Sequence, residues 1–398
     1  MLELLVRNAP GVRDNRPDGP GKNILLVPFR GPAILRIPMK NLAPVCAKAA
    51  LLACCFGLPG LVRADAPLPA ADRIAAKPLF RDPVYDGAAD PTIIWNSRDR
   101  KWYMLYTNRR ANVPGLNGVA WIHGTPIGIA TSSDGGASWQ YLGVARIDYK
   151  DAVADKTYWA PAVVEHDGLY HMYVVYVPGT FADGWNHPRD ILHLTSRDLL
   201  SWDYQSTLPL EHHKDIDAGV LHMPDGTWRL WYKDEADGSA CHFADSPDLY
   251  NWTDRGKSPG LSDRAGEAPV PFHWKGRYWL LRDITSPPNG LALYRSGDAL
   301  DWTRVGTLLQ APGTGPDDKA VGHHPEVILS NDRAYLFYFT HPGSRGGSAV
   351  EGNSRRSSIQ VVELKHDAAH DVLTADRDKP TMINLQPPAD PESQSKFN

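Results

Sequence analysis

The segment SPDLYNW, residues 246–252, decides the fold, because closely related segments occur three more times in the chain. The four copies end on tryptophans that are separated by 63, 50 and 50 residues, and each has Ser-x-Asp upstream: SSDGGASW (132–139), SRDLLSW (196–202), SPDLYNW (246–252) and SGDALDW (296–302). A repeat of this length is typical of proteins built from one supersecondary unit. We expect the Ser and Asp side chains to close a turn and the Trp to pack between neighbouring units.

Pairs of strand-like runs surround these segments, and each pair is joined by a polar or Gly-containing turn. There are five: TIIWNSRDRKWYMLYT (92–107), AVVEHDGLYHMYVVYV (162–177), GVLHMPDGTWRLWYKD (219–234), VPFHWKGRYWLLRD (270–283) and EVILSNDRAYLFYFTH (326–341). Alternating aromatic and aliphatic residues around tight turns predict hairpins. A third strand and a fourth near the Trp complete each unit. The pattern predicts an all-β, five-bladed β-propeller with four-stranded antiparallel blades over residues 80–370.

The residues before the repeats have a different character. From Met39 the chain reads MKNLAPVCAKAALLACCFGLPGLVRADAP, a basic start and an apolar run that ends in the small-x-small pattern Ala64-Asp65-Ala66. We interpret residues 1–66 as an upstream extension plus a secretory signal peptide starting at Met39, which implies a periplasmic or extracellular protein. A single membrane anchor is the alternative. Residues 67–79 are then a linker, and residues 371–398 a C-terminal tail.

Composition narrows the classes of partner. The 42 Lys and Arg residues nearly balance the 46 Asp and Glu residues, giving a formal net charge of −4 among 398 residues. A small, mixed charge argues against a nucleic-acid partner. Of the four cysteines only Cys241 follows the signal, so the mature chain has no internal disulfide and no Cys-rich metal site. We expect Cys241 to be a small core residue on a strand.

The residues that open each blade are the candidates for chemistry, because the innermost strand of a propeller blade begins at one mouth of the axial channel. The five openings are Ala89-Asp90-Pro91, Trp159-Ala160-Pro161, Asp215-Ile216-Asp217-Ala218, Gly266-Glu267-Ala268-Pro269 and Gly322-His323-His324-Pro325. Three of them carry carboxylates at what we expect to be equivalent places. Charges there would be costly in a closed core, so they predict a polar pocket.

These openings resemble those of glycoside hydrolase family 43. The matching segments are ADPTIIW, TYWAPAVVEHDGLYHMYV, DIDAGVL, GEAPVPFHWKGRYWLL and GHHPEVIL, in the same order, and the resemblance spans about residues 80–365. The wider group of five-bladed enzymes includes families 62, 32, 68, 117 and 130. SSDGGASW also resembles the Asp-box of six-bladed sialidases, but the trio of arginines that such enzymes use has no signal here.

The resemblance implies roles for four residues. Asp90 is the general base, Glu267 is the general acid, and Asp217 orients Glu267 and tunes its pKa. His323 lies near the axis, beside a water cluster or a structural calcium ion; no other cofactor is expected. The chemistry agrees, because glycoside hydrolysis needs one protonated and one ionised carboxyl, separated by about 6.5–9.5 Å in inverting enzymes. A neighbouring like charge from Asp217 would raise the pKa of Glu267.

Further residues are candidates for binding the sugar. Trp159 at the second opening could stack on a sugar ring or pack between blades. Insertions at 108–124 and 178–190 lengthen connections in the first two blades, and long loops often carry specificity. They contribute the rim candidates Arg109, His123, Trp185 and His187.

The leading hypothesis is a secreted or periplasmic inverting glycosidase, α-L-arabinofuranosidase/β-xylosidase-like, that acts from the chain end on plant or algal oligosaccharides or polysaccharides. One alternative is a family-117-like 3,6-anhydro-L-galactosidase, a group that can use a His as the acid. Another is a non-catalytic carbohydrate-binding propeller. Apart from the signal peptide no membrane association is expected, and the oligomeric state stays open.

Overall fold

Five antiparallel sheets follow one another around a ring in the computed structural model, which describes residues 71–343 and 355–388. Each blade contains four strands in sequence order, and the first strands of blades 5 and 1 meet to close the ring. The blade strands are β2–β5 (Ala88–Asn96, Lys101–Asn108, Ile127–Ser132, Gln140–Val144), β7–β10 (Thr157–His166, Leu169–Val177, Asp190–Ser196, Ser201–Thr207), β11–β14 (Asp215–His222, Trp228–Asp234, Ala240–Ser246, Thr253–Lys257), β15–β18 (Gly266–Trp274, Arg277–Ile284, Gly290–Ser296, Thr303–Leu308) and β19–β22 (His323–Ser330, Arg333–Thr340, Ser358–Asp367, Val372–Ala375). The prediction of a five-bladed, four-stranded propeller is confirmed.

Three short strands and one 3₁₀ turn lie outside this pattern. They are β1 (Arg73–Ile74), β6 (Arg146–Asp148), β23 (Met382–Ile383) and the turn Ala120–Ile122. Strand β6 pairs in parallel with β10 and adds a fifth strand to blade 2. No helix in the part of the chain that the structure describes has the length and apolar character needed to span a bilayer.

The Ser-x-Asp repeats close the turn between the third and fourth strands, as the sequence predicts. In blade 3 the Ser246 hydroxyl donates to the Asp248 carboxylate, which accepts the backbone N–H groups of Tyr250 and Asn251. Equivalent Ser–Asp hydrogen bonds occur in the other three copies, at Ser132, Ser196 and Ser296. The repeated side chains therefore satisfy backbone groups that the turn would otherwise leave unpaired.

The Trp that follows each turn packs against the preceding blade. Trp252 of blade 3 contacts Tyr173 of blade 2 edge-to-face with ring centroids 5.4 Å apart, and Trp302 of blade 4 contacts Trp231 of blade 3 at 5.9 Å. Trp139 and Trp202 belong to buried clusters with residues of blades 5 and 1 respectively. Apolar area is thus removed from water at four of the five blade interfaces by the same residue type.

A second repeat, in the backbone alone, lies at the mouth of the ring. The first strand of every blade has a register shift against its partner strand, at the same place in each. One residue in each bulge has a left-handed φ between 40° and 59°: Asp90, Ala160, Asp217, Ala268 and His324. Bulges with such backbone re-aim side chains and are found beside functional sites.

The ends of the predicted domains need correction. Val372–Ala375, assigned to the tail 371–398, forms the fourth strand of blade 5 by pairing with Ser358–Asp367. Arg73–Ile74, assigned to the linker 67–79, pairs with Met382–Ile383. The fold therefore extends further in both directions than predicted, through the fourth strand of blade 5 and the separate two-stranded sheet of β1 and β23. The predicted signal peptide within residues 1–66 lies outside the described residues.

Candidate active site

A pocket of about 340 Å³ opens at the mouth where the bulges lie. It contains all three carboxylates that the sequence singled out, Asp90, Asp217 and Glu267. Its remaining lining residues are Arg109, Ile122, Trp159, Trp185, Arg189, Ile216, Lys233, Glu235, Thr285 and His324. Chain segments of all five blades therefore converge on one polar cavity.

Asp90 is held in blade 1 by the partly buried cation Arg109. The Arg109 Nη2 donates to Asp90 Oδ1 at 2.9 Å and to Oδ2 at 3.1 Å, which fixes the plane of the carboxylate. The Arg109 guanidinium in turn lies 4.7 Å from the Phe339 ring centroid, and its Nη1 is 3.3 Å from His341 Nε2. Arg109, predicted as a rim residue for the sugar, thus lines the pocket as the partner of Asp90.

His341 orients Arg109. The His341 Nδ1 is 3.0 Å from the Arg356 carbonyl, so the hydrogen bonds assign the proton to Nδ1 and leave Nε2 to accept from Arg109. Burial, and to a lesser extent the Arg109 charge, lower the pKa of His341 to about 3. A neutral imidazole is what this arrangement requires, since a cation would repel the guanidinium.

Blades 3 and 4 approach each other closely beside the pocket, which places Asp217 next to the opening that carries Glu267. A Cβ at Gly219 would lie 1.8 Å from the Pro269 carbonyl oxygen, so only glycine permits this approach. The Ala268 N–H then donates to Asp217 Oδ2 at 3.2 Å. Asp217 is 6% exposed, whereas the side chain of Glu267 is 32% exposed and reaches into the open part of the pocket.

Glu267 is also paired with a cation, which sequence reasoning did not anticipate. The Lys233 Nζ lies 3.0 Å from Glu267 Oε2 and 3.0 Å from Glu235 Oε1. Glu235 is bound on its other side by Arg189, whose Nε is 3.1 Å from Glu235 Oε2. A chain of alternating charges therefore runs from Glu267 on blade 4 to Arg189 on blade 2.

The two neighbouring carboxyls titrate in opposite directions. Burial raises the pKa of Asp217 above its usual range, and the nearby Glu267 charge adds to that rise, although His324 and Lys233 oppose it. Burial would also raise the pKa of Glu267, but the charge and hydrogen bond of Lys233 outweigh burial and hold it well below its usual range. Burial therefore favours the protonated form of Asp217, while Lys233 favours the ionised form of Glu267. This differs from the expectation that Asp217 raises the pKa of Glu267.

Trp159 and Trp185 form the aromatic part of the pocket wall. The Trp159 Nε1 donates to the Ile122 carbonyl at 2.6 Å, which anchors the indole on the first insertion. The Arg189 guanidinium lies 5.9 Å from each indole ring. Trp185 is 52% exposed, so one face of this ring is open to solvent. Both predicted aromatic candidates are therefore placed where a sugar could contact them.

Two rim candidates lie behind the wall rather than on it. His123 is buried, packs edge-on against Trp159 and Phe181, and has a pKa that burial lowers to about 4. His187 stacks on Phe181 with centroids 3.4 Å apart. Neither lines the pocket, because both rings are occupied in packing the second insertion against Trp159.

His324, and not His323, faces the pocket. The His323 Nδ1 is 3.0 Å from Asp283 Oδ2 and its ring stacks on Phe339, whereas the His324 Nδ1 is 3.4 Å from Asp90 Oδ1. Burial lowers the pKa of His323, but Asp283 outweighs burial and raises it. His324 has a left-handed φ, as do the pocket-lining residues Asp90 and Asp217. The assignment of His323 to substrate is therefore corrected.

The calcium ion expected beside His323 would need a set of oxygen ligands. Calcium takes six to eight oxygen ligands, and within residues 71–343 and 355–388 no group of three or more His, Cys, Asp or Glu side chains is placed to hold a metal ion. Structural calcium stays a prediction without a ligand set. Cys241, which the sequence predicts to be a core residue, is buried. Burial raises the pKa of its thiol to about 11.

Two of the charged residues that sequence reasoning missed, Lys233 and Asp283, share one position in the hairpin. Lys233 lies at the end of the second strand of blade 3, directly across from Ile216 in the opening. Asp283 occupies the equivalent end in blade 4, across from Glu267. Because the second strand ends at the mouth where the first begins, polar residues at both ends of each hairpin are a signal that could have found them.

Comparison with solved structures agrees with this architecture. A thermostable family-43 glycoside hydrolase matches with a TM-score of 0.54 and 16% identity, covering 77% of this chain and 100% of its own. The fold is that of the family-43 glycoside hydrolases. A family-43 β-xylosidase/α-arabinofuranosidase from a compost microbial metagenome, in complex with xylotriose, matches with a TM-score of 0.55 and 16% identity, over 76% of this chain and 97% of its own.

A third structural neighbour has a different activity in its name. An exo-1,5-α-L-arabinanase from a bovine ruminal metagenomic library matches with a TM-score of 0.51 and 15% identity, covering 75% of this chain and 99% of its own. No family model and no curated protein matches the chain. The family-43 fold therefore rests on the structure, and the chemistry must be argued from the pocket.

Proposed function

We propose that this protein is an inverting glycoside hydrolase that acts from the chain end on plant or algal oligosaccharides, with α-L-arabinofuranosidase/β-xylosidase-like specificity. The observation that carries the proposal is that Asp90, Asp217 and Glu267, from three different blades, line one pocket. Solved structures with this fold include a β-xylosidase/α-arabinofuranosidase and an exo-arabinanase. Ile122 and Trp185 bring residues of both insertions into the pocket wall, and we expect such a wall to suit a chain end better than a long polymer.

In the proposed reaction Asp90 is the general base. Its carboxylate, oriented by Arg109, accepts a proton from a water molecule that attacks the anomeric carbon. The glycosidic oxygen leaves with a proton from the neighbouring acid pair, in which Glu267 has the side chain that reaches the open pocket and Asp217 stands behind it. Attack by this water on the face opposite the leaving group would give products of inverted anomeric configuration.

The charges of the pocket favour an uncharged saccharide. Arg109 pairs with Asp90, and Lys233 and Arg189 pair with Glu267 and Glu235, so each cation already has a carboxylate partner. Burial raises the pKa of Asp217 and so favours its protonated form beside them. An acidic sugar would have to displace one of these partners, which costs free energy in a partly buried site. Pentoses such as arabinose and xylose carry no such charge.

The experiment is a panel of aryl-glycosides and oligosaccharides, with product anomers followed by NMR from the first turnovers. We expect release of single terminal arabinosyl or xylosyl units with inverted configuration. Retained configuration would contradict the inverting mechanism, and release of internal fragments would contradict action from the chain end. Binding without hydrolysis would identify a non-catalytic carbohydrate-binding propeller instead.

A second candidate is the 3,6-anhydro-L-galactosidase activity of family-117-like enzymes. The observation that favours it is His324, whose imidazole lines the pocket, since such enzymes can use a His as the acid. Agar-derived oligosaccharides with an anhydrogalactose end belong in the same panel. Hydrolysis of these and not of pentosides would select this candidate.

We also propose that the protein is exported to the periplasm or beyond, on the strength of the signal-like segment from Met39. Expression of the full chain with fractionation of the cells, beside a chain that lacks residues 1–66, tests this. We expect the shortened chain to be folded and active and to stay inside the cell. Equal distribution of both chains would contradict export by this segment.

A further inference from the structure

Lys233 occupies a position that the proposed reaction does not yet use. Its ammonium group touches Glu267 Oε2 and Glu235 Oε1, each at 3.0 Å, and its side chain is only 7% exposed. Both carboxylates raise the pKa of Lys233, outweighing the effect of burial, so the group is a cation throughout the working range. A nearly buried cation that spans two carboxylates orders both of them.

The acid pair is surrounded by charged groups from several blades. Glu267 faces Lys233 of blade 3, Arg109 of blade 1 and His324 of blade 5, with Asp217 beside it on blade 3. Asp217 also faces Asp90. His323 and Asp283, paired with each other, complete the charges behind Glu267. Among the cations near this pair, Lys233 is the one within hydrogen-bond distance of Glu267.

Resting on the proposed glycosidase function, we propose that Lys233 is a positioning residue for the acid pair. Its ammonium group holds Glu267 as a carboxylate in the free pocket, so that the transferable proton is stored on Asp217. Glu235 moderates this effect, because it shares the same ammonium group and is itself bound by Arg189.

Removing the charge of Lys233 and removing that of Glu235 should shift the pKa of the acid pair in opposite directions. Removing the cation by Lys233→Met favours the protonated form of both Glu267 and Asp217, so the pair keeps its proton to higher pH. Removing the opposing anion by Glu235→Gln leaves the cation less compensated and has the opposite effect. The basic limb of the kcat/KM profile, which reports loss of the acid's proton from free enzyme, should move accordingly.

Kinetics supply the first test. On a hydrolysed substrate from the panel, we expect the basic limb to move to higher pH by at least about one pH unit in Lys233→Met. It should move to lower pH in Glu235→Gln and stay in place in the charge-preserving Lys233→Arg. Lys275→Met is the matched control, since Lys275 in the β15–β16 turn pairs with Asp332 in the β19–β20 turn and neither residue lines the pocket.

An infrared titration supplies the second test and needs no substrate, so it stands apart from the proposed function. Protonated carboxyls are followed by their C=O stretching band between about pH 5 and about pH 9, above the usual carboxyl range. We expect Asp217→Asn to remove one component of this band and Glu267→Gln to keep it. Asp215, whose pKa burial and neighbouring carboxylates raise to about 8, contributes a second component, which Asp215→Asn removes.

The outcomes separate the two claims. If the wild-type protein hydrolyses no substrate of the panel, the proposed function is overturned. The infrared titration still tests where the proton of the acid pair lies. Loss of the band component in Glu267→Gln instead of Asp217→Asn would overturn the inference. Lower activity in Lys233→Met with an unmoved basic limb of the kcat/KM profile would also overturn the inference. Movement of this limb in the same direction in Lys233→Met and Glu235→Gln would overturn it as well.

Discussion

The outer turns and the inner mouth of the propeller both repeat from blade to blade, but they repeat different things. At the outer turns the side chains recur: Ser, Asp and Trp make the same hydrogen bonds and the same interblade contact in four blades. At the mouth the backbone recurs, with five equivalent bulges, while the residue at the bulge changes from Asp to Ala to His. Side chains that repeat from blade to blade thus have a structural role at the turns. Side chains that vary on a repeated backbone lie at the pocket.

The difference has an energetic reason. A turn that closes the same way needs the same hydrogen bonds each time, and a blade interface needs the same apolar area. The left-handed bulge residues are strained, at a cost of order 1–3 kcal/mol each, and such strain is found where a side chain must be aimed. In this ring the bulges aim Asp90, Asp217 and His324 at one pocket.

The largest effect is expected from the mouth. Asp90→Asn and Glu267→Gln should each lower kcat/KM by about 10²–10⁴-fold, the contribution typical of general acid–base groups. Thermal unfolding should stay near that of the wild type. The matched substitution at an outer turn, Asp248→Asn, should keep turnover while lowering the free energy of unfolding by about 1 kcal/mol, because it weakens one set of turn hydrogen bonds. Retention of more than about a tenth of the activity in Asp90→Asn would remove its assigned role.

An outer Trp should affect stability instead. Trp252→Ala removes a buried ring from the interface between blades 2 and 3 and should lower the free energy of unfolding by about 3–5 kcal/mol. Denaturant unfolding measures this, and the rate per folded molecule should be unchanged. Trp185→Ala, which removes a half-exposed ring, serves as the control, with a change in stability within about 0.5 kcal/mol. Equal losses of stability in Trp252→Ala and Trp185→Ala would contradict the structural role that we assign to the outer Trp.

Trp185 should affect substrate binding. If a sugar stacks on its open face, Trp185→Ala loses an aromatic contact of about 0.5–1.5 kcal/mol, which corresponds to a KM about two- to tenfold higher with little change in kcat. Trp185→Phe keeps an apolar ring and should recover part of the loss. An unchanged KM on every hydrolysed oligosaccharide would place Trp185 outside the substrate site.

The smallest effect concerns the bulge itself. Ala160 carries no catalytic side chain but shares the left-handed backbone, with φ of 46°. Ala160→Gly relieves strain of about 1–2 kcal/mol while losing a buried methyl group, so stability should change little. Ala244→Gly, in the buried middle of strand Ala240–Ser246, should be destabilised by at least about 0.5–1 kcal/mol. Chemical denaturation measures the free energy of unfolding of both variants. If Ala160→Gly is as unstable as Ala244→Gly, the backbone at Ala160 is not strained.

The three carboxylates were predictable from the sequence because each follows a recognisable blade opening, and the order of the hairpins gives the order of blades around the ring. His323 was the wrong member of its pair, since alternation along a strand predicts that one ring turns inward without saying which one. His123 and His187 lay in the right insertions, but packing against Phe181 turned both away from the pocket.

The amino-acid sequence by itself determined the all-β class, the number of blades, the structural turns and the three carboxylates, because all of these follow from local periodicity and from short motifs repeated along the chain. Only the tertiary structure decided the charges that act on those carboxylates. Lys233 and Arg189 lie far from Glu267 in the chain, and their contacts depend on the close approach of blades at Gly219 and on cross-strand register. Electrostatic interactions depend on distance in space and on burial, neither of which a linear pattern records.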